Sequence, residues 1–141
     1  MDTTLKGRNK WANAHTYYAL DFLRMALGAF LIFKGASFIT DSRSFEDLIS
    51  PVSNFMGGMW TFHYIASAHI MGGIMIIIGL LTRWAIIAQL PILLGAVLIN
   101  FLGEMNATNL IIASITLIVC LFFLYYGSGK NSFDYYFKME K

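Results

Sequence analysis

Four apolar runs occupy most of this chain, at about Tyr17–Ile39, Trp60–Leu81, Trp84–Leu102 and Asn109–Gly127. Each is close to the roughly 20 residues that an α-helix needs to cross hydrocarbon. No other feature limits the fold as tightly. Lipid offers no hydrogen bonds to the backbone, so a spanning run must satisfy its own amides as a helix. The second and third runs are joined by little more than "LTRW", and the third and fourth by "GEMNAT". Links this short place successive helices antiparallel and adjacent. The expected architecture is an all-α membrane protein: one domain over 1–141, a four-transmembrane-helix up-down bundle. The longest connection is "TDSRSFEDLISPVSNFMGGM", and its "FEDLISPVSNFMGG" portion is expected to form a short amphipathic helix in the interface.

Composition supports this class. Only 13% of the residues are charged and 57% are hydrophobic, whereas soluble domains are about one-quarter charged. A water-facing surface cannot be built from so few polar residues. The net charge of +2, with no Arg/Lys run between aromatics, gives no grip on nucleic acid. The single cysteine, Cys120, excludes an intrachain disulfide and any cysteine-based metal cluster. The first run follows Lys6, Arg8 and Lys10, as a signal peptide would, but it is too long and too interrupted by charge, and no A-x-A site follows it. It reads as an uncleaved first span.

Charges in the links orient the bundle. Lys6, Arg8, Lys10, Arg83, Lys130, Lys138 and Lys141 fall on one side of a four-span arrangement. Arg43 falls on the other, with Asp41, Glu46, Asp47 and Glu104. The positive-inside rule then predicts both termini in the cytoplasm.

The spans are not uniformly apolar. At about 100° per residue, Tyr17, Asp21, Arg24, Gly28 and Gly35 share one face of the first span, with Lys34 at its edge. Ala66, His69, Gly72, Gly73 and Ile76 share a face of the second, and His63 lies about 120° from it. Gln89, Ala96 and Asn100 align on the third, and Asn109, Ala113, Thr116 and Cys120 on the fourth. Small residues let membrane helices approach, and polar ones are kept from lipid. The four stripes are therefore expected to converge inside the bundle. Asp21 and Arg24 then lie in the inner half, His69 near the midplane, and Lys34 and Asn100 in the outer half. Pro91 is expected to bend the third span beside Gln89.

Asp21, Arg24, Lys34, His69, Gln89 and Asn100 are the candidate ligand-pocket residues. Each has a plainer reading. Asp21 and Arg24 are three apart and can pair on one helix face. That pair either locks helix packing, or Asp21 holds Arg24 ready for an anionic or carbonyl-bearing ligand. Lys34 can snorkel to the interface. His69 is either a hydrogen-bonded packing residue or a proton-active or ligand-binding one. His63 and His69 cannot clamp one haem from mismatched faces of one helix, and their spacing is not that of a helical zinc pair. "GSGK" lacks the earlier glycine and the Ser/Thr of a phosphate loop. No metal site, intrinsic cofactor or catalytic triad is visible.

Three stretches resemble one family. "FLRMALGAFLIFKGASFI" is similar to the first-span pattern of the DoxX family of small bacterial membrane proteins. "AHIMGGIMIIIGLLTRWAIIAQLPILLGA" resembles its central hairpin, and "YYGSGKNSFDYY" its ending. Arg24, Gly72, Gly73, Gly79, Arg83, Gly127, Gly129, Ser132 and Asp134 match the pattern. Many members carry a glutamate near the position of His69, so any chemistry there is altered. Gly127 and Gly129 suit a helix C-terminal turn, and Asp134 is placed to tie the tail to Arg83. The resemblance implies four spans in the bacterial inner (cytoplasmic) membrane and an association with redox chemistry, the family being named for a subunit of a thiosulfate:quinone oxidoreductase. Three roles follow. One is a quinone-interacting or accessory subunit of a membrane redox partner protein, at most one subunit of an oxidoreductase and with quinone as a borrowed cofactor. The second is a structural or assembly subunit without chemistry. The third is a small-solute or proton pathway through a homo-oligomer.

Overall fold

The structure, a computed structural model, describes residues 6, 7, 10, 18–50, 54, 57–102, 105–129 and 131–137. Its principal helices, in chain order, are α1 (Tyr18–Thr40), α2 (Ser42–Ile49), α3 (Gly58–Ile78), α4 (Thr82–Leu102), α5 (Ala107–Tyr126) and α6 (Phe133–Tyr136). Among the described residues, α1, α3, α4 and α5 are the 4 helices long and apolar enough to cross a membrane. Tyr17, Arg8, Glu104, Lys130, Lys138 and Lys141, which carried part of the span and orientation readings, lie outside the described residues.

Helix limits follow from local chemistry. α3 stops at Ile78 rather than Leu81 because Gly79 takes a left-handed φ of 70°. Leu80 N–H then donates to Met75 O and Gly79 N–H to Ile76 O, the paired bonds of a Schellman turn. α5 starts at Ala107, where the Asn106 side chain accepts from Asn109 N–H at 3.2 Å. The outer-loop helix begins earlier than "FEDLISPVSNFMGG" suggested. Asp41 caps it, accepting from the Ser44 hydroxyl at 2.6 Å and from Ser44 N–H at 3.3 Å. The Ser44 hydroxyl, then its amide, hold the exposed Asp41 carboxyl below its ordinary 3.8. The cap therefore persists through neutral pH and is lost only as pH falls through the lowered Asp41 value. α2 runs to Ile49 and buries Phe45 and Ile49; residues 51–53, 55 and 56 of the expected helix lie outside the described set.

α1 packs chiefly on α3, and α4 on α5, with α3 and α4 joining the two pairs; α1 meets α5 only sparsely. Glycine sets the first interface. A Cβ at Gly28 would stand 2.6 Å from Gly73 O, and one at Gly73 would stand 2.6 Å from Gly28 O. The backbones touch there, which any side chain would forbid. A Cβ at Gly35 would come within 3.1 Å of Ala66 O. Gly72 leaves room for the Gln89 side chain of α4, whose Nε2 donates to Ala68 O. Leu27, Leu31, Ile76, Ile86, Leu93, Cys120 and Phe123 fill the core. Lipid is as apolar as this core, so shape matching rather than the hydrophobic effect distinguishes the folded bundle from separated helices.

Two glycine variants test that account. Gly73→Ala is expected to lower the stability of the micelle-embedded protein by about 1–3 kcal/mol, as overpacking does. Gly95→Ala is expected not to lower it, because a Cβ there meets nothing within 4 Å and alanine is the better helix former. Reversible unfolding in detergent measures both.

Candidate functional site

Polar side chains collect at both ends of the bundle, in two different ways. At the α1 N-terminal end they are consumed by one another. Arg24 is 3% exposed. Its Nη1 donates to Ser128 O, and Nη2 donates to Asn131 O at 3.3 Å. Asp21 lies 3.9 Å from Nη1 and accepts from Asn131 Nδ2 at 2.6 Å. The segment after α5 curls over this end through Gly127 and Gly129, both at positive φ. Ser132 Oγ donates to Gly129 O at 2.7 Å and accepts from Tyr135 N–H at 3.2 Å, which starts α6.

Asp134, 2% exposed, completes the clasp. Its carboxylate accepts from Leu81 N–H at 2.5 Å and Thr82 N–H at 3.0 Å. These are orphan amides at the start of α4, where the helix dipole also favours a carboxylate. In return Asp134 N–H donates to Gly79 O at 2.9 Å. Asp134 thus ties the tail to the α3–α4 turn backbone, whereas the sequence suggested Arg83. Arg83 Nη2 instead reaches Tyr125 O at 3.5 Å. Leu81 sits at φ 47°, an uncommon conformation for leucine, directly under this carboxylate.

At the α1 C-terminal end the arrangement is open. A cavity of about 240 Å³ lies in the thin seam between α1 and α5, walled also by α4 and roofed by α2. Lys34, Ser37, Asp41, Ser44, His69, Asn100, Asn109 and Thr116 supply its polar lining. Several of these are already engaged. Asn100 Nδ2 donates to Ala96 O at 2.8 Å and its Oδ1 accepts from Asn106 N–H at 3.3 Å. Thr116 Oγ1 donates to Ile112 O at 2.7 Å.

Lys34 and His69 keep capacity in reserve. Lys34 makes no hydrogen bond or ion pair among the described residues, and its ammonium lies 6.0 Å from the Phe30 ring centroid. His69 is 5% exposed, and its Nδ1 bonds Ile65 O at 3.0 Å. A carbonyl can only accept, so Nδ1 donates, and in the neutral ring Nε2 then keeps its lone pair. Phe38 meets the imidazole edge-on at 5.7 Å between centroids. A second cavity of about 370 Å³, almost wholly apolar, lies between α3 and α4 and shares the walls formed by Phe38, Phe45, His69, Leu93 and Ala96.

The six sequence candidates therefore separate. Lys34, His69 and Asn100 come together at one cavity. Asp21 and Arg24 belong to the clasp at the other end. Gln89 is fully buried against α3, with Oε1 unpartnered among the described residues. Sequence reasoning missed Ser37, Asp41 and Ser44 as cavity lining. The spacing of Asp41 and Ser44 does signal a helix cap, but a cap signal says nothing about which side of it faces a cavity.

A protein-family description, DoxX, matches residues 19–102, which take in α1 from its second residue through α4 and stop short of α5 and the tail segment of the clasp. No curated protein and no solved structure matches the chain.

Stability should separate the two ends. Asp134→Ala removes the acceptor of one buried and one part-buried amide and is expected to cost about 2 kcal/mol. Arg24→Met is expected to reduce accumulation in the membrane by breaking the same clasp. Lys34→Met, which removes no hydrogen bond among the described residues, is expected to stay within about 0.5 kcal/mol of the parent. Thermal unfolding in one detergent, with quantitation of membrane protein, measures all three.

Proposed function

The chain belongs to the DoxX family, and on that footing we propose that it binds a membrane quinone in the polar cavity, as an accessory to membrane redox metabolism. One observation carries the reading. Lys34 and His69, both inside spanning helices, line one cavity with donor and acceptor capacity that the described residues leave unused. Ionisable side chains at this depth are costly and are kept for partners. A quinone head suits them. It is a flat, mostly apolar ring with an oxygen at each end, and such ligands take apolar slots with few polar groups.

With His69 neutral, the pair suits the reduced form. The Lys34 ammonium can only donate, so it suits an oxygen lone pair. Nε2 of neutral His69 accepts, so it suits the O–H of a quinol. An oxidised head, which only accepts, requires His69 to be protonated first. Any electron transfer then needs a partner protein that carries a redox centre.

The charge asymmetry supports placing this cavity toward the outer face of the bacterial inner membrane, with both termini in the cytoplasm. Arg83 lies at the clasp end, and Asp41, Glu46 and Asp47, against the one cation Arg43 in α2, at the cavity end. A second reading, a structural or assembly subunit, draws on the clasp, which gives Arg24 and Asp21 packing work without a ligand.

Extraction from the native membrane in mild detergent, followed by mass spectrometry of bound small molecules, tests the proposal. A stoichiometric quinone or quinol is expected with the parent protein. Lys34→Met is expected to reduce its occupancy about tenfold, the order of magnitude of a lost hydrogen bond to a charged group, and His69→Leu about fivefold, that of a neutral one. Parent protein that retains no quinone, even when quinone is added in excess, overturns the reading.

A further inference from the structure

The geometry points to the apolar cavity between α3 and α4 as a slot for the hydrocarbon tail of the ligand whose head occupies the polar cavity, with Gly95 keeping that slot open. This rests on the quinone reading of the polar cavity and adds what that reading leaves unspecified: the path of the tail, and the residue that selects for it.

Three observations converge. First, the two cavities are contiguous in their walls. His69, Phe38, Phe45, Leu93 and Ala96 bound both. An amphiphile that presents its head to Lys34 and His69 has its apolar end at this partition. Second, the linings divide by chemistry as such a ligand does. The 240 Å³ cavity carries the lysine, the asparagines and the hydroxyls. The 370 Å³ cavity is bounded by aliphatic and aromatic side chains, with Thr61 and Tyr64 at its α3 edge. Third, Gly95 stands in the wall of the larger cavity, and a Cβ built there meets no atom within 4 Å.

This open space separates Gly95 from Gly28, Gly35, Gly72 and Gly73, which are glycine because a neighbouring helix touches them. Packing does not explain Gly95. Its φ is not in the left-handed region either. Glycine is a poor helix former, so its presence in mid-helix without a neighbour is best explained by the space it leaves. Pro91, four residues earlier and also in this wall, lies on the same side of α4.

Lipid and a quinone tail are equally apolar, so the slot gains no hydrophobic advantage over the bilayer. Its contribution is shape. It gives the tail an exit from the site that does not require the head to leave the polar cavity, and it excludes heads that bear no tail only weakly. Filling the slot should therefore discriminate between tailed and tail-less ligands sharing one head.

The test uses the full chain in detergent micelles and two probes, decylubiquinol and the tail-less 2,3-dimethoxy-5-methyl-1,4-benzoquinol, with binding read by native mass spectrometry at matched mole fractions in the micelle. Gly95→Leu is expected to weaken decylubiquinol about tenfold, the size of a steric overpacking penalty in a slot matched to its occupant by shape. Tail-less quinol should change by less than about twofold. Ile99→Trp, a plug from the next turn of the same wall, is expected to do the same, so the test does not hang on one variant folding. Lys34→Met should weaken both probes alike. If the parent binds both quinols and neither plug discriminates between them, the tail slot is wrong and the head site stands. If the parent binds neither quinol, the head reading fails and the slot fails with it.

Discussion

Arg24 donates to the carbonyl of Ser128, a residue 104 positions away in the chain, and the rest of the clasp end depends on that bond. A guanidinium within a membrane helix cannot be left without acceptors. Lipid has none to give, and the helix backbone has used its own. The acceptors must come from chain that has stopped being helix. That is what the turn through Gly127 and Gly129 provides. Once it is in place, Ser132 and Asp134 are positioned over the start of α4. The same few residues then satisfy α1, end α5 and hold the α3–α4 hairpin. One buried cation thereby organises three connections.

The opposite end shows what happens without such a device. α1 and α5 meet sparsely, no turn folds over the seam among the described residues, and a cavity remains. α2 roofs it with Phe45, which sits between Phe38 at 5.0 Å and Phe62 at 5.3 Å. The bundle is thus closed by polar bonds at one end and by an aromatic lid at the other. A cation that has used its donors is a strut. A cation that has not is available, and this difference separates Arg24 from Lys34 more firmly than depth in the membrane does.

Much of the fold was legible in the sequence because the bilayer simplifies the problem. Length and hydropathy mark the spanning helices, and the small-polar stripe marks the inward face. Gly28, Gly73, His69, Gln89 and Cys120 are all buried where the 3.6-residue period put them. Less legible was how the polar residues divide. Sequence set Asp21 and Arg24 in the inner half, His69 near the midplane and Lys34 in the outer half, but gave no sign of which of them other segments would consume. Their roles are decided by segments far away in the chain, the tail for Arg24 and the α5 N-terminus for the cavity. Periodicity sees one helix at a time and carries no information about such pairings. Gly95 was invisible for a related reason. A glycine kept by contact and a glycine kept by emptiness read the same until the neighbours are in place.

The long sequence separation between Arg24 and Ser128 has a consequence for biogenesis. A ribosome adds residues at about 5–20 per second, so on the order of ten seconds pass between the synthesis of the cation and that of its acceptor. During that interval α1 has already emerged with a charge its partner cannot yet meet. The nascent helix must hold Arg24 at the lipid–water boundary, or within the insertion machinery, until the last helix and its turn arrive. The final seating of α1 thus waits on the turn at residue 128, and a nascent chain that stalls before it lacks the Ser128 and Asn131 carbonyls that accept from Arg24.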